Sequence, residues 1–268
     1  ELTQLTPLDL KPEFNLEQFR ALIEPLHQGE KEKLVFETMH RRKNGTLYPV
    51  EVHLQYSQTS VPPAFIAVIQ DISERKQYIA KLEHKALHDT LTGLPNRNLL
   101  SDRLQQALAA ARRETQPLAI ILLDIARLKE VNDILGHNSG DLVLQEVAKR
   151  ITITLRKTDT VARLGGDEFA ILLPGVDIES ATPAIDKIQK ALESPIVIED
   201  SSLDVEANMG IAVYPHHGDD PSVLLSHADV AMRMAKSEVS GFCIYESSHD
   251  PYSRRRLSLL GELRHAIA

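Results

Sequence analysis

Tryptophan is absent from this sequence of 268 residues, and aromatic residues make up only 4% of it. The core must therefore consist of aliphatic side chains, for which the 43% content of hydrophobic residues is ample. The single cysteine, Cys243, excludes an intramolecular disulfide and fits a reducing compartment. No apolar run reaches the length of about 18 residues that a transmembrane helix needs, and residues 1–10 lack the character of a signal peptide. We therefore expect a cytoplasmic chain.

Basic residues are the minority among the charged ones, since 30 Lys and Arg are outnumbered by 38 Asp and Glu, for a net charge of −8. This balance argues against a nucleic acid polymer as a partner. The content of charged residues, 25%, is typical of a globular protein rather than of a disordered chain. At roughly 150 residues per domain, the length predicts two domains or one domain with an appendage.

The first 71 residues have the pattern of a helix followed by three antiparallel strands. Apolar residues recur at helical spacing over 16–26. Asn44-Gly45 is a strong hairpin signal because both residues tolerate positive φ. The three strand patterns lie at residues 34–38, 50–54 and 65–69.

Residues 72–88 contain neither Gly nor Pro and predict a connector helix. Ile72, Ile79, Leu82 and Ala86 lie at heptad-like spacings, with charged residues between them. This pattern is compatible with pairing to a second copy of the helix, and equally with an amphipathic helix that lies on its own domain.

Helical and strand patterns alternate over residues 89–247. This alternation predicts an α+β (α/β-like) fold with a central sheet flanked by helices. The predicted helices are 99–111, 142–155, 184–192 and 223–234, and the predicted strands are 118–123, 160–164, 169–173 and 203–213.

Acidic residues follow two of these strand patterns. Asp124 comes directly after the apolar strand 118–123, at the edge of the sheet where α/β proteins bind ligands, although such a residue can also simply cap a helix. Asp167 and Glu168 follow Gly165-Gly166, which predicts a tight turn. If the strands are neighbours, three carboxylates converge, and they repel each other unless a cation joins them. Oxygen ligands alone favour Mg²⁺ or Mn²⁺, and Mg²⁺ with few carboxylates indicates phosphate oxygens and phosphoryl transfer.

The run Gly165-Gly166-Asp167-Glu168-Phe169 resembles the GGDEF signature of diguanylate cyclases. Residues 89–97 (Asp-Thr-Leu-Thr-Gly-Leu-Pro-Asn-Arg) resemble the entry motif of the same family. The resemblance covers residues 87–245 and predicts a GGDEF domain over 89–247. Further matching motifs are Asp124-Ile125, Lys129, Asn132-Asp133, Gly136-His137, Gly140-Asp141, Gly210-Ile211-Ala212, Pro215, Ala228-Asp229 and Ala231-Met232.

The resemblance implies a nucleotide-cyclase-like sheet and a dimer that condenses two GTP into cyclic di-GMP, with one GTP held by each subunit. It implies that Asp124, Asp167 and Glu168 are the catalytic residues. The implied ligands of Mg²⁺ or Mn²⁺ are Asp124, the carbonyl of Ile125 and Asp167, with Glu168 close by. The implied GTP contacts are main-chain N–H groups after Asp124 up to Leu128 for phosphates, Asn132 and Asp141 for guanine, and Lys236 for the triphosphate.

Arg156 and Asp159, a few residues before the glycine turn, resemble the RxxD inhibitory site of the family, to which the product cyclic di-GMP binds. Arginine supplies bidentate contacts to phosphate or guanine, and the carboxylate accepts from guanine. Taken by themselves, the two residues have the spacing of an ordinary surface ion pair.

The segments on either side resemble other signalling modules. Residues 1–71 resemble the C-terminal part of a PAS domain, through the motifs 40–45, 49–52 and 71–75, and this part together with the connector helix is expected to form a homodimer. Its ligand is not assigned, and His40 and His53 are interpreted as surface or packed histidines. Residues 248–268 have the pattern of a basic amphipathic helix and resemble the linker to an EAL phosphodiesterase domain, so that we expect a piece of a PAS–GGDEF–EAL protein.

The sequence also departs from the family pattern. Ala126, Leu128 and Arg233 replace an acid, a Phe and a Tyr that are usual there, and residues 237–243 lack a second phosphate-binding Arg. Slower turnover or weaker GTP binding is expected. An alternative function is therefore a GTP-binding regulatory domain of low activity that controls a downstream EAL domain, and a third is an interaction module with a vestigial acidic turn.

Overall fold

A computed structural model describes residues 5–198, 201–238 and 240–248, and for Ala80 the backbone alone. The chain divides into two compact units, Glu1–His84 and Lys85–Ala268. In the part of the chain that the structure describes, no helix is both long enough and apolar enough to cross a bilayer.

In its described residues, the first unit contains a three-stranded antiparallel sheet, whose strands lie side by side in sequence order, and two helices that precede the sheet. Its small core consists of Leu26 and the inward-facing Val50, Val52 and Leu54. The predicted helix over 16–26 and all three predicted strands are confirmed. The elements are α1 (Pro7–Leu10), α2 (Leu16–His27), β1 (Leu34–Arg41), β2 (Leu47–Ser57) and β3 (Ala64–Asp71).

The connector helix α3 (Ser73–Leu87) confirms the prediction for this segment and runs across the division between the units. Ile79 and Leu82 are 44% and 48% exposed. An amphipathic helix that lies on its own domain would have these two apolar side chains covered. Their exposure therefore argues against that alternative.

The described elements of the second unit are α4 (Arg97–Glu114), β4 (Leu118–Ile125), α5 (Leu128–Leu135), α6 (His137–Thr154), β5 (Thr160–Gly165), β6 (Glu168–Pro174), α7 (Ile178–Leu192), the antiparallel pair β7 (Ile196–Ile198) and β8 (Ser201–Leu203), β9 (Ala207–Tyr214), α8 (Pro221–Ala235) and β10 (Phe242–Ile244).

The second unit is built on a five-stranded sheet of order β10-β9-β4-β6-β5, antiparallel except for the β10–β9 pair. The central strand β4 is buried along its whole length, and its residues face two layers of helices in alternation. One layer contains α5, α6 and α7, and the other contains α4 and α8.

The sequence pattern misplaced or missed several elements of this unit, among them the three-residue strand β7, which it did not predict. The single strand expected over 203–213 is in fact the end of β8, a break, and β9. The short helix α5 follows Arg127, which has a left-handed φ of +58° that no local signal predicts. The edge strand β10 has three residues and pairs in parallel with β9, a partner that only the tertiary fold supplies. The helix expected over 248–268 lies outside the described residues from position 249 onward.

Candidate functional site

Asp124 lies at the end of the central strand β4, between Glu168 of β6 and Asn208 of β9, which are its paired neighbours on either side. Directly paired residues of a sheet point to the same face, so the three side chains share one face. That face is the one covered by α4 and α8, because Leu122, two residues earlier, packs against these helices. The predicted meeting of the two acidic strand ends is confirmed for Asp124 and Glu168.

Lys236 contributes a cation to this group of residues. It caps the C-terminus of α8, and its Nζ lies 3.1 Å from Oδ1 of Asp124. The Asp124 side chain is largely buried, whereas that of Lys236 is 48% exposed. The ammonium is therefore anchored at the carboxylate while remaining accessible to a ligand from solvent.

The glycine turn holds Asp167 against the same strand end. Gly165 and Gly166 have φ values of +134° and +57°, which side-chain-bearing residues rarely adopt. The carbonyl oxygen of Asp167 accepts a hydrogen bond of 3.1 Å from the N–H of Ile125. The turn thus places residues 165–168 beside the end of β4.

A largely buried arginine holds this turn in place through hydrogen bonds to its backbone. The guanidinium of Arg163 donates to both carboxylate oxygens of Asp89, at 3.0 and 3.2 Å, and to the carbonyl oxygen of Gly166, at 2.7 and 3.2 Å. Burial acts to raise the pKa of Asp89, but the hydrogen bonds from Thr92 and Arg163 outweigh it and lower this pKa below its ordinary value. Sequence reasoning assigned no role to Arg163, although its place just before the turn was a usable signal.

The helices α5 and α6 bring Asn132 and Asp141 together in one helical hairpin. Gly140 is what permits this arrangement, because a methyl group at its Cα would overlap Oδ1 of Asn132. Asp141 follows Gly140 directly and is exposed. Since α5 follows closely on β4, this pair lies toward the same end of the sheet as Asp124.

The main chain at the start of α5 is the segment expected to bind phosphate. The structure reduces the number of N–H groups there that are free to do so. The side chain of Leu128 is buried in the core, so that only its main chain is open to a ligand. The N–H groups of Ile125 and Ala126 already donate to the carbonyl oxygens of Asp167 and Glu206. The N–H group of Glu130 donates to the carbonyl oxygen of Arg127 at 3.0 Å. The N–H groups at positions 127–129 therefore remain for an anion.

The acidic residues form a pair rather than the expected cluster of three. Among the described residues, no three Asp, Glu, His or Cys side chains lie close enough together to hold a metal ion. Asp167 belongs to the turn and not to the paired positions that align Asp124 with Glu168. Mg²⁺ usually takes one or two carboxylates plus substrate phosphates, so an oxygen-only pair fits it once a nucleotide supplies the rest. The Lys236 ammonium beside Asp124 shows that this position accepts a cation.

Clefts lie on either side of the acidic pair. One of about 460 Å³ adjoins Glu168, and its lining includes Arg97, whose Nη2 is 3.9 Å from the Glu168 carboxylate. The other, of about 580 Å³, is lined in part by Asn208 and Lys236. The site is therefore open to a ligand much larger than a metal ion.

Arg156 and Asp159 lie apart from these residues, after the end of α6. Their contact is a hydrogen bond of 2.9 Å from the backbone N–H of Arg156 to Oδ2 of Asp159, and not the ion pair that their spacing suggested. Both residues line a cleft of about 220 Å³ together with Lys187 of α7, a cation that sequence reasoning missed.

Two curated proteins of Pseudomonas aeruginosa are similar to this chain in sequence. The bifunctional diguanylate cyclase/cyclic di-GMP phosphodiesterase MucR of Pseudomonas aeruginosa is 43% identical over 183 residues, which are 68% of this chain and 27% of MucR. The diguanylate cyclase TpbB of the same organism is 44% identical over 174 residues, which are 64% of this chain and 40% of TpbB. This chain thus spans less than half the length of both curated relatives.

Solved structures and a family model lead to the same assignment. The crystal structure of the GGDEF domain of TpbB, also called YfiN, from Pseudomonas aeruginosa matches with a TM-score of 0.56 at 43% identity, over 58% of this chain and 98% of that one. The mixed sheet flanked by helices is the GGDEF fold. The family model described as diguanylate cyclase, GGDEF domain, matches residues 86–241, more than half of the sequence. The chain belongs to the GGDEF diguanylate cyclase family.

Proposed function

We propose that this chain condenses two molecules of GTP into cyclic di-GMP and releases two pyrophosphates. In this reaction each 3′-hydroxyl loses its proton to solvent and its oxygen bonds to the α-phosphorus of the other nucleotide, while each pyrophosphate departs with the electrons of the broken P–O bond. The observation that carries the proposal is the Asp124–Glu168 pair with the Lys236 ammonium 3.1 Å from Asp124, at the end of the central strand. The names of the relatives TpbB and MucR support it.

The metal would be held by the carboxylates of Asp124 and Glu168 and by the carbonyl oxygen of Ile125, with phosphate oxygens of the nucleotide as further ligands and Asp167 beside them in the turn. When bound, Mg²⁺ or Mn²⁺ supplies positive charge to the triphosphate and lowers the pKa of the attacking 3′-hydroxyl. The protein fixes the spacing of the donors through the strand pairing of Asp124 with Glu168 and the hydrogen bond between Ile125 and Asp167.

The remaining residues bind and orient GTP. The first-turn N–H groups of α5, including that of Leu128, bind phosphate oxygens at the positive end of the helix. Lys236 exchanges its contact with Asp124 for one with the triphosphate. Asn132 donates to and accepts from the guanine edge, while Asp141 accepts from guanine N1–H and the exocyclic amine.

Regulation acts at two further places. Homodimerisation through the connector helix, with its exposed Ile79 and Leu82, and through the PAS-like first unit brings two GTP-loaded subunits together. Cyclic di-GMP binds at Arg156 and Asp159, where Lys187 adds a second positive charge to the cleft. The product thereby limits its own synthesis.

A second candidate function is a GTP-binding domain of low activity that controls an EAL domain. The observation that favours it is the segment after Lys236, where residues 237–243 contain no Arg, while Glu206 and Glu238 line the adjoining cleft. These carboxylates make the surroundings of Lys236 less favourable for a triphosphate. Tight GTP binding without turnover would distinguish this function from the first.

The test is incubation of the purified chain with GTP and Mg²⁺, followed by chromatographic quantification of cyclic di-GMP and pyrophosphate. We expect both products in a ratio of one to two, with a rate that rises more than linearly with protein concentration. Asp124→Asn should abolish turnover, whereas Asp186→Asn, an exposed carboxylate on α7, should leave it unchanged. GTP binding by calorimetry with no product at any protein concentration would support the second function instead.

A further inference from the structure

Two basic residues of the first unit are buried and have no polar partner among the residues that the structure describes. Lys11 is 5% exposed and His40 is 2% exposed. Within the described part of the chain, Nε2 of His40 has no hydrogen-bond partner. Among the described residues, the Lys11 ammonium has neither an acidic nor a hydrogen-bonding partner, and its one aromatic neighbour is the ring of Phe19, 5.5 Å away.

The segment that carries Lys11 is fastened to strand β1, which carries His40. The carboxylate of Glu13 accepts from the Thr38 hydroxyl at 2.8 Å and from the Met39 N–H at 2.9 Å. Thr38 and His40 are two residues apart on the strand and therefore share one face of the sheet. Lys11, two residues before Glu13, is thereby held beside that face.

Aromatic rings surround the two basic groups. Phe14 contacts Phe19 and Phe36 edge to face, with centroids 6.1 Å apart in each case. The ring of Tyr48 lies edge-on to His40 at 6.0 Å. Aromatic rings thus lie next to both basic groups, on a face that also carries the polar Thr38.

Such an arrangement is unfavourable without a ligand. A ring nitrogen that is fully buried without a partner carries a desolvation cost. The ammonium of Lys11, a residue that is 5% exposed, carries a smaller one because it has no counter-charge. Burial lowers the pKa of Lys11, and burial together with the charge of Lys11 lowers the pKa of His40. The two acids nearest in sequence already accept hydrogen bonds, Asp9 from Thr6 and Glu13 from Thr38 and Met39. A bound anion would relieve both costs.

We propose that Lys11 and His40 form a binding site for a small monocarboxylate with an apolar body. One oxygen of the carboxylate accepts from the ammonium of Lys11 and the other from the Nε2–H of a neutral His40. The single positive charge of Lys11 matches one carboxylate, whereas a phosphate dianion would bring twice that charge into an apolar setting. The apolar body of the ligand lies among Phe14, Phe19 and Phe36. This site is independent of the cyclase chemistry proposed for the second unit.

The test is a titration of the complete chain with sodium acetate, propionate and butyrate at constant ionic strength. Binding is measured during the titration by NMR of the His40 ring and by calorimetry. We expect saturable shifts of the His40 signals, with affinity increasing from acetate to butyrate. Propionamide, which has the same shape but no charge, should not bind. Inorganic phosphate binding more tightly than the carboxylates would overturn the ligand class.

Variants separate this site from non-specific effects. Lys11→Met should weaken carboxylate binding by at least about tenfold, the effect of losing one charge-assisted hydrogen bond. It should still fold, because it removes a buried charge. Lys11→Arg should retain binding, and Lys33→Met, which removes an exposed lysine of the same unit, should have no effect. Equal binding by the Lys11→Met and Lys33→Met variants, or no saturable binding to the parent chain, would overturn the proposal.

Discussion

The ammonium of Lys236 and the carboxylate of Asp124 lie 3.1 Å apart, joining the end of α8 to the end of the central strand β4. The lysine is half exposed, and an ion pair of this kind contributes at most about 1 kcal/mol to stability. We therefore expect Lys236 to matter for binding GTP rather than for folding. This distinction leads to the first prediction.

Lys236→Met should raise the KM for GTP by about tenfold or more, because one charge-assisted contact to the triphosphate is lost. The free energy of unfolding should change by no more than about 1 kcal/mol. Initial-rate kinetics and urea denaturation measure the two quantities. Lys190→Met, at an exposed position of α7, is the control and should match the parent in both. An unchanged KM in the Lys236 variant would show that this lysine does not contact substrate.

The contact between Arg163 and Asp89 is expected to stabilise the glycine turn that positions Asp167. Both side chains are largely buried, so their coupling in a double-mutant cycle should be about 1.5–3 kcal/mol, the range for hydrogen bonds to charged groups. Urea denaturation of Arg163→Met, Asp89→Asn and the double variant measures it. The single variants should also reduce turnover while GTP binding is retained. If the losses of stability in the two single variants simply add in the double variant, the contact between Arg163 and Asp89 does not stabilise the turn.

The lowered pKa of Asp89 makes a further prediction about acid stability. A carboxylate whose folded-state pKa lies below its unfolded value, about 3.9, stabilises the fold above that value and loses this effect as the pH falls through the folded-state pKa. Asp89→Asn should therefore reduce the steepness of acid unfolding in that range. Asp102→Asn, which removes an exposed carboxylate of α4, serves as the comparison. Acid unfolding of the Asp89→Asn and Asp102→Asn variants, monitored by circular dichroism, measures this difference.

Gly140→Ala should weaken GTP binding without weakening the fold. The added methyl group would displace the side chain of Asn132, while alanine is a better helix former than glycine by up to about 1 kcal/mol. Calorimetry with GTP should show the same loss for Gly140→Ala as for Asn132→Ala, and no further loss in the double variant. Independent, additive losses would separate Gly140 from the role of Asn132.

Arg156→Ala should relieve inhibition by cyclic di-GMP and leave the initial rate at low product unchanged. The site lies apart from Asp124, so that product binding and chemistry can be separated. Lys187→Ala should have a smaller effect in the same direction, since it removes one cation from the cleft. Rate measurements over a range of added cyclic di-GMP give the inhibition constants. Lys157 is exposed and adjacent to Arg156 in sequence. The Lys157→Ala variant should therefore have the same inhibition constant for cyclic di-GMP as the parent chain.

Local sequence was sufficient for most elements and for the position of the acidic residues. The apolar run 118–123 is a buried strand because nearly every residue in it is apolar, and Gly165-Gly166 is a turn because both residues tolerate positive φ. One prediction that failed is the single strand expected over 203–213. Its pattern of apolar residues is the same for one long strand as for two strands separated by a break. Hydrophobic periodicity reports burial, and it does not report where pairing stops.

By itself, the sequence determined the α+β class, the acidic ends of the strands and the resemblance to the GGDEF family. The tertiary structure alone decided which side chains meet: Lys236 with Asp124, Arg163 with Asp89, and Lys187 with the cleft of Arg156. Helix periods and turn signals act over a few residues. Contacts between distant segments depend instead on the order of strands in the sheet and on the face that each helix covers.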